Sequence, residues 1–581
     1  MVWTELSEGL AAALGAAGLY RPERMARLEL AVPRESAHGD WTTNLALIVA
    51  RETRRPPREV AQAIAAAFPL DPALFAPVEV AGPGFLNFRY SDAFLDALPG
   101  RIVAAGPAFG ASAGGGGRRV LVEYVSANPT GPLNIVSARA AAVGATLVRL
   151  LRATGHEALG EFYVNDAGRQ VELLGESLAA RFGERIGSAR PFPDEGYQGE
   201  YLKDIAAELP EDEARRALLE PDHGAAWFRD QALERMVREQ RRDLDEYGAE
   251  FARWFHESEL HRSGAVDETL RALEARGMTY RAVQPETGEG GADEGPAPAA
   301  SGAEAVWLRT SRCGDSTDRV IVRSNGVPTY LLPDLAYHRD KRVRGYDVAI
   351  DLWGPDHHAY VTTMKAALAA LGVPPEFLEV LIVQQVNLWQ TGPDGAREQV
   401  KMSKRRGRLV TLRDLMEDVG ADCARFLFLL RSTNAHLDFD LDEARARNDE
   451  NPAYYVQMAH ARICSILRFA AQRGLAPEDG APTRLAAPRE TALVRKLAVF
   501  PEVVRGAAAT REPHRLPVYL VETAAELHRF HHDLRVVSPD PALSRSRLRL
   551  MAAARVVFAN GLALMGVTAP ERMERAAEEI S

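Results

Sequence analysis

A chain of 581 residues with 46% hydrophobic content is long enough for roughly three to five domains, each with its own core. Its formal net charge of −10 excludes indiscriminate binding to polyanions and confines any nucleic-acid contact to a local basic stripe. No apolar run approaches the roughly 20 residues that span a bilayer, and the N-terminus is an amphipathic helix pattern without a basic export region. The three cysteines, Cys313, Cys423 and Cys464, form no CxxC pair, which suits a reducing cytoplasm and gives no zinc or disulfide signal.

Residues 1–105 alternate helical patterns with two short strand candidates, 28–32 and 78–80, and between them a turn at His38, Gly39 and Asp40 leads into an amphipathic helix. A small α+β module is expected. The stretch 106–117, GPAFGASAGGGG, is a flexible linker by composition.

A β-branched run, 120–125, then ends in Ser126, Ala127, Asn128, Pro129, Thr130, Gly131 and Pro132, followed by an Ala/Leu helix that stops at Thr154 and Gly155. Strand, tight turn and helix in that order favour an anion at the helix N-terminus, where unpaired N–H groups and the helix dipole meet. A second strand precedes Asn165, and a helix runs from Val171. The span 190–303 turns helical and charged, then dissolves into a Gly/Ala/Pro/Glu stretch, as an insertion would. Strand patterns return at 305–308 and 318–322, a Gly-containing turn enters a helix near Asp334, and strands at 348–352 and 380–383 flank a helix at 359–371. Alternating strands and helices argue for a parallel doubly wound sheet over 118–435. The remainder, 436–581, shows amphipathic helices at 452–472, 490–509, 518–536 and 543–565, the pattern of an all-α bundle.

Candidate chemistry sits at four places. Lys401, Met402, Ser403, Lys404, Arg405 and Arg406 form the sharpest basic cluster, within a loop at 397–408, and lysine charges there can neutralise phosphates. Glu123 closes the first strand and Asn128 lies in its turn, while Tyr330 and Asp334, one helical turn apart, can face one pocket. Asp356, His357 and His358 are adjacent on a turn, point apart, and lack a third ligand, so no protein-bound metal is assigned. Tyr454, Tyr455, His460 and Arg462 offer aromatic and cationic groups suited to stacking unpaired bases.

The order of residues adds a resemblance. EYVSANPTGPL is similar to the lead-in to the first signature of class I aminoacyl-tRNA synthetases, in its arginyl branch, and KMSKR matches the second signature without a mismatch. AHGDWTTNLAL with VAGPGFLNFRY resembles the N-terminal additional domain of arginyl-tRNA synthetases, which contacts the tRNA elbow. NPAYYVQMAHARICSILR with ANGLALMGVTAPERM resembles the branch's anticodon-binding domain, with Met458 where an aromatic residue is usual.

The resemblance implies a multidomain α/β protein: a class I Rossmann-like parallel sheet with a helical insertion, an N-terminal α+β module and a C-terminal all-α bundle. It implies an arginine-tRNA ligase that forms arginyl-adenylate from L-arginine and ATP, the ATP carrying Mg²⁺, and transfers arginine to tRNA(Arg). The expected form is a cytoplasmic monomer with no membrane association. Glu123, Asn128, Tyr330, Asp334 and Asp356 would line the arginine site, and Tyr455, Met458, His460 and Arg462 would meet tRNA. Pro129, Gly131, Asn134, Ser137, Lys401, Met402, Ser403 and Lys404 would hold ATP, with Asn134, Ser137, Lys401 and Lys404 catalytic.

One departure bears on activity. Asn134, Ile135, Val136 and Ser137 stand where the family carries His, an aliphatic residue, Gly and His. Ala140 and Ala145 replace a usual Gly and Asp on the same helix, and Ala359 a usual Gly. The second reading is therefore a catalytically inactive relative acting as a tRNA-binding scaffold or regulator.

Overall fold

The apolar runs bounded by turn residues assemble into a five-stranded parallel sheet in the computed structural model, which describes residues 2–33, 35–188, 190–283, 304–400, 410–477 and 485–573. Its strands are β1 (Arg119–Glu123), β2 (Glu157–Val164), β3 (Arg253–His256), β4 (Val348–Trp353) and β5 (Leu378–Ile382), in the order β5-β4-β1-β2-β3. β1 lies in the middle with both faces covered, which is why Val120, Leu121 and Val122 are all buried rather than alternating. The helix α1 (Ile135–Ala153) follows β1 and is buried almost all round, wedged between the sheet and the helices Ala421–Leu429, Phe500–Thr510 and Pro541–Met565. Its alanines permit that approach. Gly144 is the tightest point, since a Cβ there would sit 2.2 Å from the Tyr124 ring.

The doubly wound core matches its sequence expectation, but the span 190–303 does not read as helix alone. It supplies the edge strand β3, which pairs in parallel with β2, and the strand Thr279–Val283. β3 is four residues long, RWFH, too short for its alternation to stand out between charged helices. The strand candidates at 305–308 and 318–322 also lie elsewhere: Glu304–Leu308 and Arg319–Val322 join Thr279–Val283 in a separate antiparallel sheet. The helices α2 (Arg169–Arg185) and α3 (Pro221–Glu246), with Tyr201–Glu208 between them, enclose their own core around Leu174, Phe182, Leu202, Phe228 and Met236.

The third crossover, from β3 to β4, ends in α4 (Leu331–Val343), and α5 (Tyr360–Ala370) joins β4 to β5; an antiparallel hairpin, Val386–Thr391 with Arg397–Gln399, and the helix α6 (Leu412–Val419) follow. The hairpin's first strand also pairs in parallel with Leu437–Asp440. Lys401, Met402, Ser403 and Lys404 lie outside the described residues.

In the N-terminal module the candidate strand at 28–32 is only an isolated bridge from Ala31 to Thr42. The His38–Asp40 turn leads first into the strand Trp41–Thr43, which pairs with Phe85–Phe88, itself paired with Glu79–Ala81. Glu79–Ala81 meets the candidate at 78–80, whereas Trp41–Thr43 and Phe85–Phe88, of three and four residues, carry too little alternation to stand out. The glycine-rich stretch after this module is not a free tether. Asn560 Nδ2 donates to the carbonyls of Gly106 and Phe109 at 2.9 Å, and Phe109 stacks on Phe500 with ring centroids 6.0 Å apart. Gly110, at φ +101°, tolerates no side chain, because a Cβ would fall 2.5 Å from Phe500.

In the helical bundle the pattern at 490–509 resolves into two helices, Pro488–Ala498 and Phe500–Thr510, with Pro501 in the first turn of the second. The helix Pro541–Met565 corrects another expectation: with a mean hydropathy of 1.5 it is long and apolar enough to cross a bilayer. Of the 18-residue stretch of this helix that reaches that value, 67% is buried inside the fold, as befits the core helix of a bundle.

Candidate functional site

A cleft of about 840 Å³ opens at the carboxyl ends of β1 and β4, where the strand order places the crossovers on opposite sides. Its walls are the turn after β1, the first turn of α1 with its cap (Asn134, Val136, Ser137), residues 352–357 at the end of β4 and just beyond it, residues 197–201 of the insertion, and Thr411. Asn128, Gly131, Asn134, Ser137 and Asp356 are therefore brought together in its lining. Pro129 is buried beside it, and Tyr330, 54% exposed, is not part of the lining.

The turn after β1 is strained. Val125 and Ser126 have φ of +72° and +39°, a region that costs a non-glycine residue about 1–3 kcal/mol. Side-chain bonds hold it: Ser126 Oγ donates to Glu123 Oε1 at 2.9 Å and accepts from the Tyr163 N–H at 3.1 Å.

Asn134 is the N-cap of α1. Its Oδ1 accepts from the Ser137 N–H at 2.9 Å and from the Ser137 hydroxyl at 3.2 Å. The one proton of Ser137 Oγ is thus spent on Asn134, which leaves Asn134 Nδ2 as the side-chain donor of this pair. Thr411 forms a bridge with Asn134, and the Leu412 N–H donates to the Leu133 carbonyl at 2.8 Å. The chain immediately downstream of the lysine-rich cluster is therefore tied to the N-terminus of α1.

Behind the cleft lies a buried ionic cluster. Lys341 Nζ donates to Glu123 Oε2 at 2.6 Å and to Asp351 Oδ1 at 2.9 Å, and His338 Nε2 lies 2.8 Å from Asp351 Oδ2. Burial alone would raise the Asp351 carboxyl, but Lys341 and His338 outweigh it and hold it at about 2. Burial would likewise lower Lys341, and the two carboxylates reverse that and push it up. Glu123 was expected to line the arginine pocket. It touches the cleft lining through Ser126 and is paired with Lys341, and burial together with Asp351 raises its pKa in spite of that cation. Lys341→Met should destabilise the fold by about 3–5 kcal/mol, because two buried carboxylates lose their common cation; urea denaturation measures it.

Asp334 is different. It sits in the first turn of α4, accepts from the Tyr360 hydroxyl at 2.9 Å, and forms no ion pair among the described residues. Burial raises its pKa against the pull of His338, Tyr360 and His357. Tyr360 packs on Trp353, which lines the cleft, so Asp334 also lies one side chain behind the wall.

A further carboxylate was missed by sequence reasoning. Glu257 follows β3 directly, and burial, Asp334 and Asp166 together raise it to about 7. The Asn165 amide, oriented to satisfy both neighbours, donates to Glu257 Oε2 at 2.8 Å. An acid just past a strand's carboxyl end was the available signal, hidden because β3 was not recognised. Among the described residues no group of His, Cys, Asp and Glu is arranged to hold a metal ion.

On the helical bundle, Tyr455 tilts against His528 with centroids 4.7 Å apart, and Arg462 Nη1 lies 2.7 Å from His528 Nδ1. Met458 is half-buried beside them in sequence. His460 departs from its expected role: it is 4% exposed, with Nδ1 2.9 Å from the Pro570 carbonyl, so its ring packs the bundle instead of meeting a base.

Comparison with known families agrees with this architecture from end to end. Residues 4–90 match the arginyl tRNA synthetase N terminal domain, 107–448 the catalytic domain of class I (R) tRNA synthetases, and 456–573 the DALR anticodon binding domain. The chain is 42% identical over 573 residues to an arginine–tRNA ligase of Geobacillus thermodenitrificans, covering 98% of both chains. It is 44% identical over 552 residues to that of Heliobacterium modesticaldum, covering 94% of this chain and 93% of the other. The arginyl-tRNA synthetase structure of Thermus thermophilus shares the fold, with a TM-score of 0.76 at 24% identity over 99% of this chain and 100% of that one.

Proposed function

The chain belongs to the class I arginyl-tRNA synthetases, and on that premise we propose that its cleft activates L-arginine with MgATP and charges tRNA(Arg). Arginine's carboxylate attacks the α-phosphorus, pyrophosphate leaves, and the terminal ribose hydroxyl of the tRNA takes the arginyl group from the adenylate. No covalent enzyme intermediate is needed; positioning and charge stabilisation carry the reaction.

Asp334 carries this reading. A buried carboxylate with no ion pair among the described residues, next to Glu257 and just behind a strand-end cleft, suits a guanidinium, whose donor fork pairs best with carboxylates. The nucleotide fits the other half of the cleft, where the N-terminus of α1 offers its unpaired N–H groups and Asn134 Nδ2 to phosphate oxygens. Lys401 and Lys404 supply the charges for the β- and γ-phosphates, with Met402 and Ser403 between them, and Mg²⁺ arrives with ATP. Tyr455, Met458 and Arg462 form the tRNA-contacting face of the bundle. We assign the protein to the cytoplasm as a monomer without membrane association; sedimentation equilibrium tests the monomer.

Arginine-dependent exchange of pyrophosphate into ATP, with and without tRNA(Arg), tests the activity. Exchange followed by transfer to tRNA is expected. Tight tRNA binding with no exchange under either condition would overturn it in favour of a scaffold.

The raised Glu257 gives a pH dependence with a definite sign. Arginine needs the ionised carboxylate, so the KM for arginine should rise as pH falls through about 7, and Glu257→Gln should flatten that profile. Because the folded pKa lies above the ordinary glutamate value, Glu257 contributes stability at low pH that is lost as pH rises through about 7. Bound arginine should therefore raise Tm more at pH 8 than at pH 6.

A further inference from the structure

The turn between β1 and α1 contains Pro129 and Pro132, which have no N–H to offer, so its carbonyls must find donors elsewhere. They find them in the insertion. Gln240 Nε2, on α3, donates to the Gly131 carbonyl at 2.9 Å and to the Asn128 carbonyl at 3.3 Å. Tyr201 Oη donates to the Thr130 carbonyl at 2.5 Å. Three carbonyls of one turn are thereby drawn to one side. With no cis peptide among the described residues, the Gly131 N–H must point away from the side to which Tyr201 draws the Thr130 carbonyl.

Gln240 is 1% exposed and its Oε1 has no hydrogen-bond partner, so the site keeps a costly buried amide for the sake of its two donor contacts. One helical turn further along α3, Asp243, also 1% exposed, takes Arg413 Nε at 2.9 Å and Nη2 at 2.5 Å, and Glu246 takes the same Nη2 at 2.9 Å. Arg413 lies in the first turn of α6, two residues after Thr411, which lines the cleft and bridges Asn134.

We infer that α3 is a positioning element for nucleotide activation: Gln240, helped by Tyr201, fixes the proline-rich turn, and Asp243 fixes Arg413 and Thr411 against the start of α1. These are positioning residues, acting through the loops they hold. A helix of the insertion thus sets the spacing between two walls of the cleft contributed by segments nearly 300 residues apart in sequence, from Gly131 to Thr411. The inference rests on the proposed activation reaction, and its test separates the two.

Gln240→Met keeps the side chain's shape and removes both donor contacts; Tyr201→Phe keeps the ring of a half-buried residue and removes only the hydroxyl bonded to the Thr130 carbonyl. Asp243→Asn with Arg413→Gln, singly and together, completes the set as a double-mutant cycle. Each of Gln240→Met and Tyr201→Phe should raise the KM for MgATP or lower kcat of pyrophosphate exchange by about tenfold, with the KM for arginine and the tRNA Kd within about twofold of the parent. The Asp243 and Arg413 effects should be non-additive.

A merely structural role would instead weaken tRNA binding and arginine use along with ATP, and that result would overturn the inference. So would exchange constants within about twofold of the parent for both Gln240→Met and Tyr201→Phe. If the parent itself shows no exchange, the proposed function fails, and calorimetric MgATP affinity decides the clamp: an unchanged Kd in Gln240→Met rejects it.

Discussion

Asp334→Asn is expected to lower kcat/KM for arginine in pyrophosphate exchange by about 10²–10³-fold while leaving tRNA affinity unchanged. The size follows from burial. A guanidinium entering this site leaves water, and the exchange is favourable only if a formal negative charge meets it; an amide of the same shape offers one acceptor and an N–H group that repels the donors. Tyr360 would keep its hydrogen bond to the amide oxygen, so the local packing persists and the loss reports on charge. Because Asp334 has no cation of its own among the described residues, Asp334→Asn removes repulsion against Glu257 and should slightly stabilise the substrate-free protein. Stability up and arginine use down is a combination that a structural role for Asp334 does not produce. A drop in Tm with unchanged kcat/KM would place the guanidinium elsewhere.

The same neighbourhood shows what a sequence can and cannot reveal. The strand, proline-rich turn and helix around Asn134 were legible because their signals are local: a β-branched run, two prolines that forbid helix, and an N-cap residue followed by small apolar residues. Asp334 was legible through its spacing from Tyr330, yet only one of that pair lies near the cleft. Tyr330 is exposed at the N-cap of α4, where i and i+4 positions share a face but not the same depth. Glu123 was legible as a strand-end carboxylate, whereas its cation, Lys341, is 218 residues away and is brought there only by the pairing of β4 with β1. Long-range partners of this kind leave no local trace. Neither do Gln240 and Glu257, because the short strand and charged helices that carry them read as solvated insertion. His460 shows the opposite error: a ring with suitable chemistry at a suitable place turns out to be bundle packing.

Restoring the family's first signature with Asn134→His, Val136→Gly and Ser137→His together should raise the rate of exchange by about 10²–10³-fold. In the present arrangement Ser137 spends its hydroxyl proton on Asn134 Oδ1, so the pair offers phosphate a single side-chain donor, Asn134 Nδ2. Two imidazoles would offer two donors that become stronger as charge builds on the α-phosphate, and removal of the Val136 side chain from the cleft wall would let adenine approach the backbone. The gain comes with a stability cost of opposite origin. Histidine is a poor substitute for the Asn134 cap, worth about 0.5–2 kcal/mol, and glycine in the first turn of α1 adds up to about 1 kcal/mol. Tm should therefore fall as activity climbs, and the assay belongs well below the variant's transition. The single substitution Asn134→Ala separates the two effects, since it removes the cap and frees the Ser137 hydroxyl without adding an imidazole donor. An unchanged exchange rate in the folded triple variant would mean that the triphosphate does not lie against the N-terminus of α1, and the placement of ATP in this cleft would have to be abandoned.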